Sequence, residues 1–156
     1  MEELALKLVP AIRRFDPTAV VYVHRGGTVI GRALSTALGL PCHRLDIHYP
    51  LTLPLRRVPA PLATLALPLK ELCYRLTEPR ALDPGSKRLP GSTDRVVLVD
   101  DSASSGRTIR TALAILEDHG IPRSRIEVAV IRCGPRARRI VDHHVLDRPA
   151  RFHTST

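Results

Sequence analysis

Short valine-rich runs that alternate with helix-forming segments limit most strongly what this chain can fold into. The runs AVVYV at 19–23 and VVLV at 96–99 are continuous and β-branched, as expected of strands that are covered on both faces. Each is followed by a small-residue loop, a helical segment and a further strand pattern, at 42–49 and 125–132. Because strand–helix–strand units build parallel sheets, we predict an α/β fold: a mostly parallel open sheet with flanking helices.

The helices are delimited by their own patterns. Apolar residues at four-residue spacing predict one amphipathic helix over 2–14. The helix after the first strand is expected to start at Thr28, as N-cap, and to end at Gly39. A further helix is predicted over 107–119, ending at Gly120.

The length of 156 residues is that of one domain, and we expect a single domain over 1–156. The segment 50–94 differs from the rest because it is proline-rich and carries basic clusters. Only 62–76 has enough leucine and alanine for a short helix or hairpin. We interpret 50–94 as an inserted loop or hood region.

The charge of the chain limits the classes of partner to be expected but does not identify one. The 24 Lys and Arg outnumber the 15 Asp and Glu, which gives a net charge of +9 and a surface that attracts polyanions. The partner is therefore nucleic acid or a small, highly phosphorylated substrate. Aromatic residues make up 3% and Trp is absent, so little can stack on bases, and nucleic acid stays possible but is not favoured.

The sequence also bears on the compartment. No apolar run is long enough to span a bilayer, and the first residues are acidic where a secretory signal is basic. We therefore expect a cytoplasmic protein with no membrane partner, and we expect a homo-oligomer. Cys42, Cys73 and Cys133 are odd in number and far apart, so we interpret them as small buried hydrophobic residues.

The sequence VVLVDDSASSGRT at 96–108 ends an apolar strand on two carboxylates and then excludes bulky side chains. Unpaired backbone N–H groups at a helix start bind phosphate when no Cβ blocks the approach, and Gly106 permits a tight loop there. Asp100 and Asp101 can accept hydrogen bonds from two neighbouring sugar hydroxyls or position a hydrated Mg²⁺. Phosphate at one end and a diol at the other indicate a ribose 5-phosphate.

An ordinary N-capping turn is the alternative for this sequence, since Asp-Ser-Gly loops are common. Two carboxylates that follow a buried strand repel each other and need a partner, which favours a binding site.

VVLVDDSASSGRT resembles the phosphoribosyl pyrophosphate (PRPP) signature of the type I phosphoribosyltransferases. The resemblance implies that Asp100 and Asp101 contact the ribose and hold Mg²⁺. It implies that the turn binds the 5-phosphate through Ser104, Ser105, Gly106, Arg107 and Thr108.

VYVHRGG, followed by TVIGRALSTALGLP, is similar to the first loop of the same family, which meets the pyrophosphate. Arg25 offers a bidentate fork for phosphate oxygens, and Gly26 and Gly27 allow close backbone approach. Taken alone, this RGG sequence is equally compatible with a solvated turn. The whole stretch IRRFDPTAVVYVHRGGTVIGRALSTALGLP at 12–41 most resembles the xanthine–guanine-type purine enzymes and uncharacterised relatives.

The pattern departs from the family in several places. The 6-oxopurine transferases carry an Asp in the turn, whereas this chain has Ser104, a poor proton acceptor near neutral pH. No aromatic residue stands where it would stack on a base, apart from Phe152. The adjacent His143 and His144 are expected to be surface residues rather than metal ligands, and His24 is the better functional candidate. The family's basic loop would come from the insertion, through Arg56, Arg57, Lys87 or Arg88.

The residues and the resemblance together predict an enzyme, a phosphoribosyltransferase of nucleotide metabolism. It would bind PRPP with Mg²⁺, transfer the phosphoribosyl group to a nitrogenous base and release pyrophosphate, with Arg25, Asp100 and Asp101 as catalytic residues. The alternative is a non-catalytic regulator of the same fold that senses PRPP or a nucleotide and binds nucleic acid. A dinucleotide-binding enzyme is a third alternative, but no G-x-G-x-x-G follows the first strand.

Overall fold

A computed structural model describes residues 1–48, 80–81 and 89–147 of the chain. The helices are α1 (Glu2–Leu6), α2 (Val9–Phe15), α3 (Gly27–Leu38) and α4 (Arg107–Asp118), with a 3₁₀ turn at Arg123–Arg125. The strands are β1 (Ala19–Val23), β2 (Cys42–Leu45), β3 (Ile47–His48), β4 (Arg80–Ala81), β5 (Val96–Ala103), β6 (Ile126–Cys133) and β7 (His143–Asp147).

Five strands form one sheet in the order β2-β1-β5-β6-β7, and every neighbouring pair is parallel. Side chains alternate between its two faces along β5. Val96 and Leu98 pack in the cluster that contains α4, and Val97 and Val99 pack in the cluster that contains α3. Because both faces are covered, β1 and β5 need continuous apolar runs. The predicted α/β class with a parallel sheet is confirmed.

Several predicted boundaries are wrong. The single helix over 2–14 is two helices, and Pro10 lies in the first turn of the second, where its missing N–H costs no hydrogen bond. Gly26, not Thr28, is the N-cap of α3, which begins one residue earlier than Thr28. The helix ends at Gly39 as predicted, with φ 70°.

The strand predicted over 42–49 ends early. β2 stops at Leu45, and Ile47–His48 pairs instead with Arg80–Ala81 in a separate two-stranded antiparallel sheet. This small sheet pairs the segment just before the predicted insertion with a segment inside it. The helix or hairpin expected at 62–76 lies outside the described residues.

The fifth strand of the main sheet, β7, was not predicted. It carries His143 and His144, so these histidines lie on an edge strand that pairs with β6. Cys133 is buried as expected, Cys42 is exposed, which the sequence did not predict, and Cys73 lies outside the described residues. Within the described parts of the chain, no helix has the length and apolar character needed to cross a bilayer.

Candidate functional site

The two aspartates lie in β5 at the carboxyl edge of the sheet, where parallel strands of this class bind ligands. Asp100 is 6% exposed and is the buried charged residue among the described core positions. Its Oδ1 accepts a hydrogen bond of 2.8 Å from the backbone N–H of Asp101. The Asp101 side chain is half-buried and lies next to the first loop of the predicted site.

Burial raises the pKa of the Asp100 carboxyl to about 8, and repulsion from the neighbouring Asp101 carboxylate adds to the shift. The protein without ligand therefore holds a proton on this pair at neutral pH. A cation or several hydrogen-bond donors placed beside the pair would favour its charged form.

The first loop, at 25–27, packs directly on the aspartates. Gly26 has φ −63°, which any residue adopts, but an added Cβ would overlap the Asp101 carboxylate and lie 3.0 Å from Asp100 Oδ1. A Cβ on Gly27 would lie 2.6 Å from the carbonyl oxygen of Val99. Both glycines are therefore required by close approach rather than by backbone conformation.

Arg25 carries the strain of this loop. Its φ is 80°, a left-handed value that a bulky side chain adopts at a cost of about 1–3 kcal/mol. The side chain of Arg25 is exposed. Two buried polar atoms flank it, His24 Nδ1 and Thr28 Oγ1, and neither has a hydrogen-bond partner among the described residues. Such atoms are rare in folded proteins and are typical of functional sites.

The second loop leads from β5 into α4. Ser104 and Ser105 are exposed, and Gly106 adopts φ 75° and caps the helix. The Arg107 N–H, at the start of the helix, donates to the Ser105 hydroxyl at 3.4 Å. Gly106 has the tight loop conformation expected of it, and the role of this turn in binding a phosphate stays a prediction.

The shape of this second loop is set by the segment after β6. The Gly134 N–H donates to the Ala103 carbonyl at 2.7 Å, and a Cβ on Gly134 would lie 2.7 Å from the carbonyl oxygen of Ser104. A Cβ on Gly106 would lie 2.5 Å from Ile140 Cδ1. Sequence analysis did not identify Gly134 or Ile140, because their roles depend on which strand lies beside β5.

Arg132 was also missed. It lies in β6 directly opposite Ser102, the residue that follows the acidic pair, and its side chain is exposed. It makes no hydrogen bond or ion pair with the part of the chain that the structure describes. Only the register between β5 and β6 places this cation opposite Ser102, and no local motif encodes that register.

The structure thus brings two predicted groups of residues to one edge: the first loop and the acidic pair with its following turn. Other candidates do not join them. His143 is half-buried, with its Nε2 2.5 Å from Glu127 Oε2, and His144 Nε2 lies 3.0 Å from Asp147 Oδ1, so the two histidines have acidic partners that the sequence did not reveal. The insertion arginines and lysine and Phe152 lie outside the described residues.

The donor set at the acidic pair suits a hard divalent cation. Two adjacent carboxylates supply oxygen ligands, and a bound Mg²⁺ would remove the proton that burial holds on Asp100. Among the described residues, no three His, Cys, Asp or Glu side chains converge to hold a metal ion. The pair would therefore have to share Mg²⁺ with oxygens of a bound phosphate compound, which is the usual arrangement for this ion.

A five-stranded parallel sheet with these two loops at its carboxyl edge is the type I phosphoribosyltransferase fold, and the predicted resemblance to that group of proteins is confirmed. No family model matches the chain.

Solved structures and one curated protein are similar to it. Purine phosphoribosyltransferase from Pyrococcus horikoshii superposes with a TM-score of 0.69 at 20% identity, over 94% of this chain and 80% of that one. Xanthine-guanine-hypoxanthine phosphoribosyltransferase from Helicobacter pylori gives 0.62 at 17% identity, over 93% and 78%. The bifunctional protein PyrR from Akkermansia muciniphila is 58% identical over 48 residues, which are 30% of this chain and 27% of that protein. This match spans about a quarter of the curated relative.

Proposed function

We propose that the chain binds PRPP with Mg²⁺ and transfers the phosphoribosyl group to a nitrogenous base, releasing pyrophosphate. The observation that carries the proposal is the contact of Gly26 with both aspartates. The first loop is suited to bind a pyrophosphate, and the two carboxylates are suited to bind a ribose. The start of α4, which is suited to bind a phosphate, follows the same strand. Purine phosphoribosyltransferases among the structural neighbours support the same reaction class.

The 5-phosphate would bind at the start of α4. The backbone N–H groups there lie at the positive end of the helix dipole, and the left-handed Gly106 gives the loop its tight turn into the helix. The Ser105 hydroxyl, in the same loop, can add a donor. This contact fixes the distance of the sugar from the rest of the site, which is the positional part of catalysis.

The ribose would lie against the carboxylates of Asp100 and Asp101. They accept hydrogen bonds from its two hydroxyls. Their negative charge stabilises the positive charge that develops at the anomeric carbon as the pyrophosphate leaves. Mg²⁺ held between this pair and the substrate would neutralise charge on the departing pyrophosphate. The aspartates hold the sugar throughout, and no proton transfer by them is required.

The leaving pyrophosphate would be received by the first loop. The guanidinium of Arg25 donates two parallel hydrogen bonds to phosphate oxygens, and Gly26 and Gly27 let the backbone approach. The buried His24 Nδ1 and Thr28 Oγ1 would gain partners when this loop is occupied. Arg132, opposite Ser102 in the sheet, would donate to an acceptor atom of the incoming base.

A second candidate function is a non-catalytic regulator that senses PRPP or a nucleotide and binds nucleic acid. Ser104 favours it, because a serine hydroxyl cannot remove a proton from the base near neutral pH. The exposed Arg136, Arg138 and Arg139 beside the second loop also favour it, since they could meet a polyanion. The proposal in either form includes a cytoplasmic protein that forms homo-oligomers.

Two measurements test the proposal and separate the two functions. PRPP with Mg²⁺ should raise the melting temperature of the wild type and not of Asp101→Asn, because a ligand stabilises the state that binds it. Asp118→Asn, at the exposed end of α4, is the matched control and should respond like the wild type. Pyrophosphate released from PRPP in the presence of a panel of bases indicates the enzyme. Stabilisation without release, together with binding of RNA, indicates the regulator, and equal stabilisation of Asp101→Asn rejects the site.

A further inference from the structure

A second cleft lies at the opposite, amino edge of the sheet and has a volume of about 450 Å³. It is lined by Ala11, Arg14, Phe15, Arg95, Glu127 and His143. The first three lie at helical spacing on one face of α2. Arg95 stands just before β5, Glu127 is the second residue of β6 and His143 is the first of β7, so the cleft covers three neighbouring strand starts.

This cleft is separate from the proposed PRPP site. Arg95 precedes β5, and Asp100 lies five residues further along that strand, or about 16 Å at 3.3 Å per residue. A ligand in the cleft therefore cannot touch the aspartates or the two loops.

The polar part of the cleft is a largely buried pair. Glu127 Oε2 lies 2.5 Å from His143 Nε2, and the two side chains are 27% and 19% exposed. The second carboxylate oxygen, Glu127 Oε1, has no partner among the described residues. It is fixed in place by the pair and can accept a hydrogen bond from a ligand.

Two guanidinium groups supply positive charge. Arg95 lies over the Phe15 ring, 4.7 Å from its centroid, and donates to the Phe15 carbonyl oxygen, so its position is fixed. Arg14 is exposed and makes no hydrogen bond or ion pair with the described residues. Two arginines against one carboxylate give the cleft a net positive charge even when His143 is neutral.

We propose that this cleft binds a phosphate monoester that also carries hydroxyl donors. Arg14 and the remaining donors of Arg95 would hold the phosphate, and Glu127 Oε1 would accept from a hydroxyl group. Sugar phosphates and nucleoside monophosphates share this chemistry. A doubly charged phosphate matches two guanidinium groups, and the acceptor carboxylate distinguishes a monoester with hydroxyls from free phosphate.

The test is the binding stoichiometry of ribose 5-phosphate, measured by titration calorimetry on the full chain. The wild type should bind two equivalents. Ser105→Asp, which puts a negative charge in the exposed turn at the other edge, should lose one, and Arg14→Ala should lose the other or weaken it by at least about tenfold, the loss of one charged hydrogen bond. The double variant should bind none. Arg13→Ala is the matched control, since Arg13 is also exposed on α2 but does not line the cleft.

The outcomes separate the second site from the proposed function. A single equivalent that Ser105→Asp removes, or unchanged binding in Arg14→Ala, overturns the second site. Loss in Arg14→Ala with no loss in Ser105→Asp supports it while contradicting the phosphate site at α4. In Ser105→Asp, adenosine monophosphate that binds more tightly than ribose 5-phosphate identifies a nucleotide ligand, and weaker binding identifies a sugar phosphate. Inorganic phosphate that binds as tightly as either shows that no hydroxyl is recognised and overturns the proposal.

Discussion

The two edges of the sheet differ in backbone strain and in how completely their polar groups are hydrogen-bonded. At the carboxyl edge the chain tolerates strain and unpaired polar atoms, whereas at the amino edge most polar groups are paired with each other. Both edges are formed by the same strands, so the strands themselves do not cause the difference. It comes from the loops, which are glycine-rich and tightly packed at one edge and carry fixed side-chain pairs at the other.

The carboxyl edge holds the left-handed Arg25, the raised pKa of Asp100, and the buried His24 Nδ1, which has no hydrogen-bond partner in the described part of the chain. The strained Arg25, the buried unpaired nitrogen and the buried carboxyl each lower the stability of the protein without ligand. Their concentration at one edge is what a binding site requires, because a ligand can supply the missing charge and hydrogen bonds.

The amino edge is satisfied within the chain. Thr18 Oγ1 donates to Asp94 Oδ1 at 2.7 Å, and the Val128 N–H donates to Asp142 Oδ2 at 2.8 Å. The guanidinium of Arg95 donates to a backbone carbonyl of α2. Arg14 and Glu127 Oε1, which have no partner among the described residues, are exceptions, and both line the second cleft. The comparison predicts that substitutions at the carboxyl edge change ligand binding first, and that substitutions at the amino edge change stability first.

Gly26→Ala should give the largest effect. The added Cβ displaces the Asp101 carboxylate, which is the mobile end of a side chain, so the fold can adjust while the ribose contact is lost. We expect PRPP affinity to fall by about 100-fold, the loss of one or two charged hydrogen bonds, with little change in unfolding free energy. Calorimetric titration and denaturant unfolding measure the two quantities.

Gly91→Ala is the control for this change. Its Cβ would lie 3.5 Å from Asp94 Oδ2, an ordinary contact, and the position is exposed near the amino edge. It should leave PRPP affinity unchanged. If Gly26→Ala instead bound PRPP normally, the contact between the first loop and the aspartates would have no part in binding.

The contrast between the edges also shows what the sequence could predict. β1 and β5 were identified because strands covered on both faces need continuous apolar runs, and such runs are visible locally. The residues of the two loops were found because parallel strands bring their carboxyl ends to one edge. Gly26 and Gly106 occupy positions where only a small residue fits, and a small residue is itself a sequence signal.

Features that depend on neighbouring strands were not predictable. β7 is a half-exposed edge strand that begins with two histidines, so it has no apolar run. Arg132 reaches the site only through its register with Ser102, and Ile140 only by packing on Gly106. The Glu127–His143 pair joins residues 16 apart in sequence, on two adjacent strands. Such contacts are fixed by the fold rather than by local sequence.

Asp100→Asn should give an effect of intermediate size that depends on pH. The raised pKa of Asp100 means that the native state keeps a proton that the unfolded state releases above about pH 4. Stability is therefore full at low pH and falls as the pH rises toward 8, because the unfolded state binds fewer protons. The asparagine cannot ionise, so relative to the wild type it should gain on the order of 2 kcal/mol between about pH 5 and about pH 6.5.

The measurement is denaturant unfolding of both proteins in a chelator at several pH values. Asp101→Asn is the comparison variant, since it removes the repulsion and leaves the burial of Asp100. It should reduce the pH dependence only in part. An identical pH dependence in the wild type and in Asp100→Asn would assign the titration to another group.

Thr18→Val, at the amino edge, should have the smallest effect. The Thr18 hydroxyl donates to Asp94 and accepts from the Arg95 N–H at 3.0 Å, so the substitution breaks two exposed hydrogen bonds while keeping the β-branched shape. We expect a loss of about 1 kcal/mol of unfolding free energy and no change in PRPP affinity. Thr36→Val, on the exposed face of α3, is the control and should be nearly neutral, because its hydroxyl makes no such bonds. If Thr18→Val weakened PRPP binding by more than its effect on stability allows, the two edges would be coupled through β5, and stability and binding could no longer be assigned to separate edges.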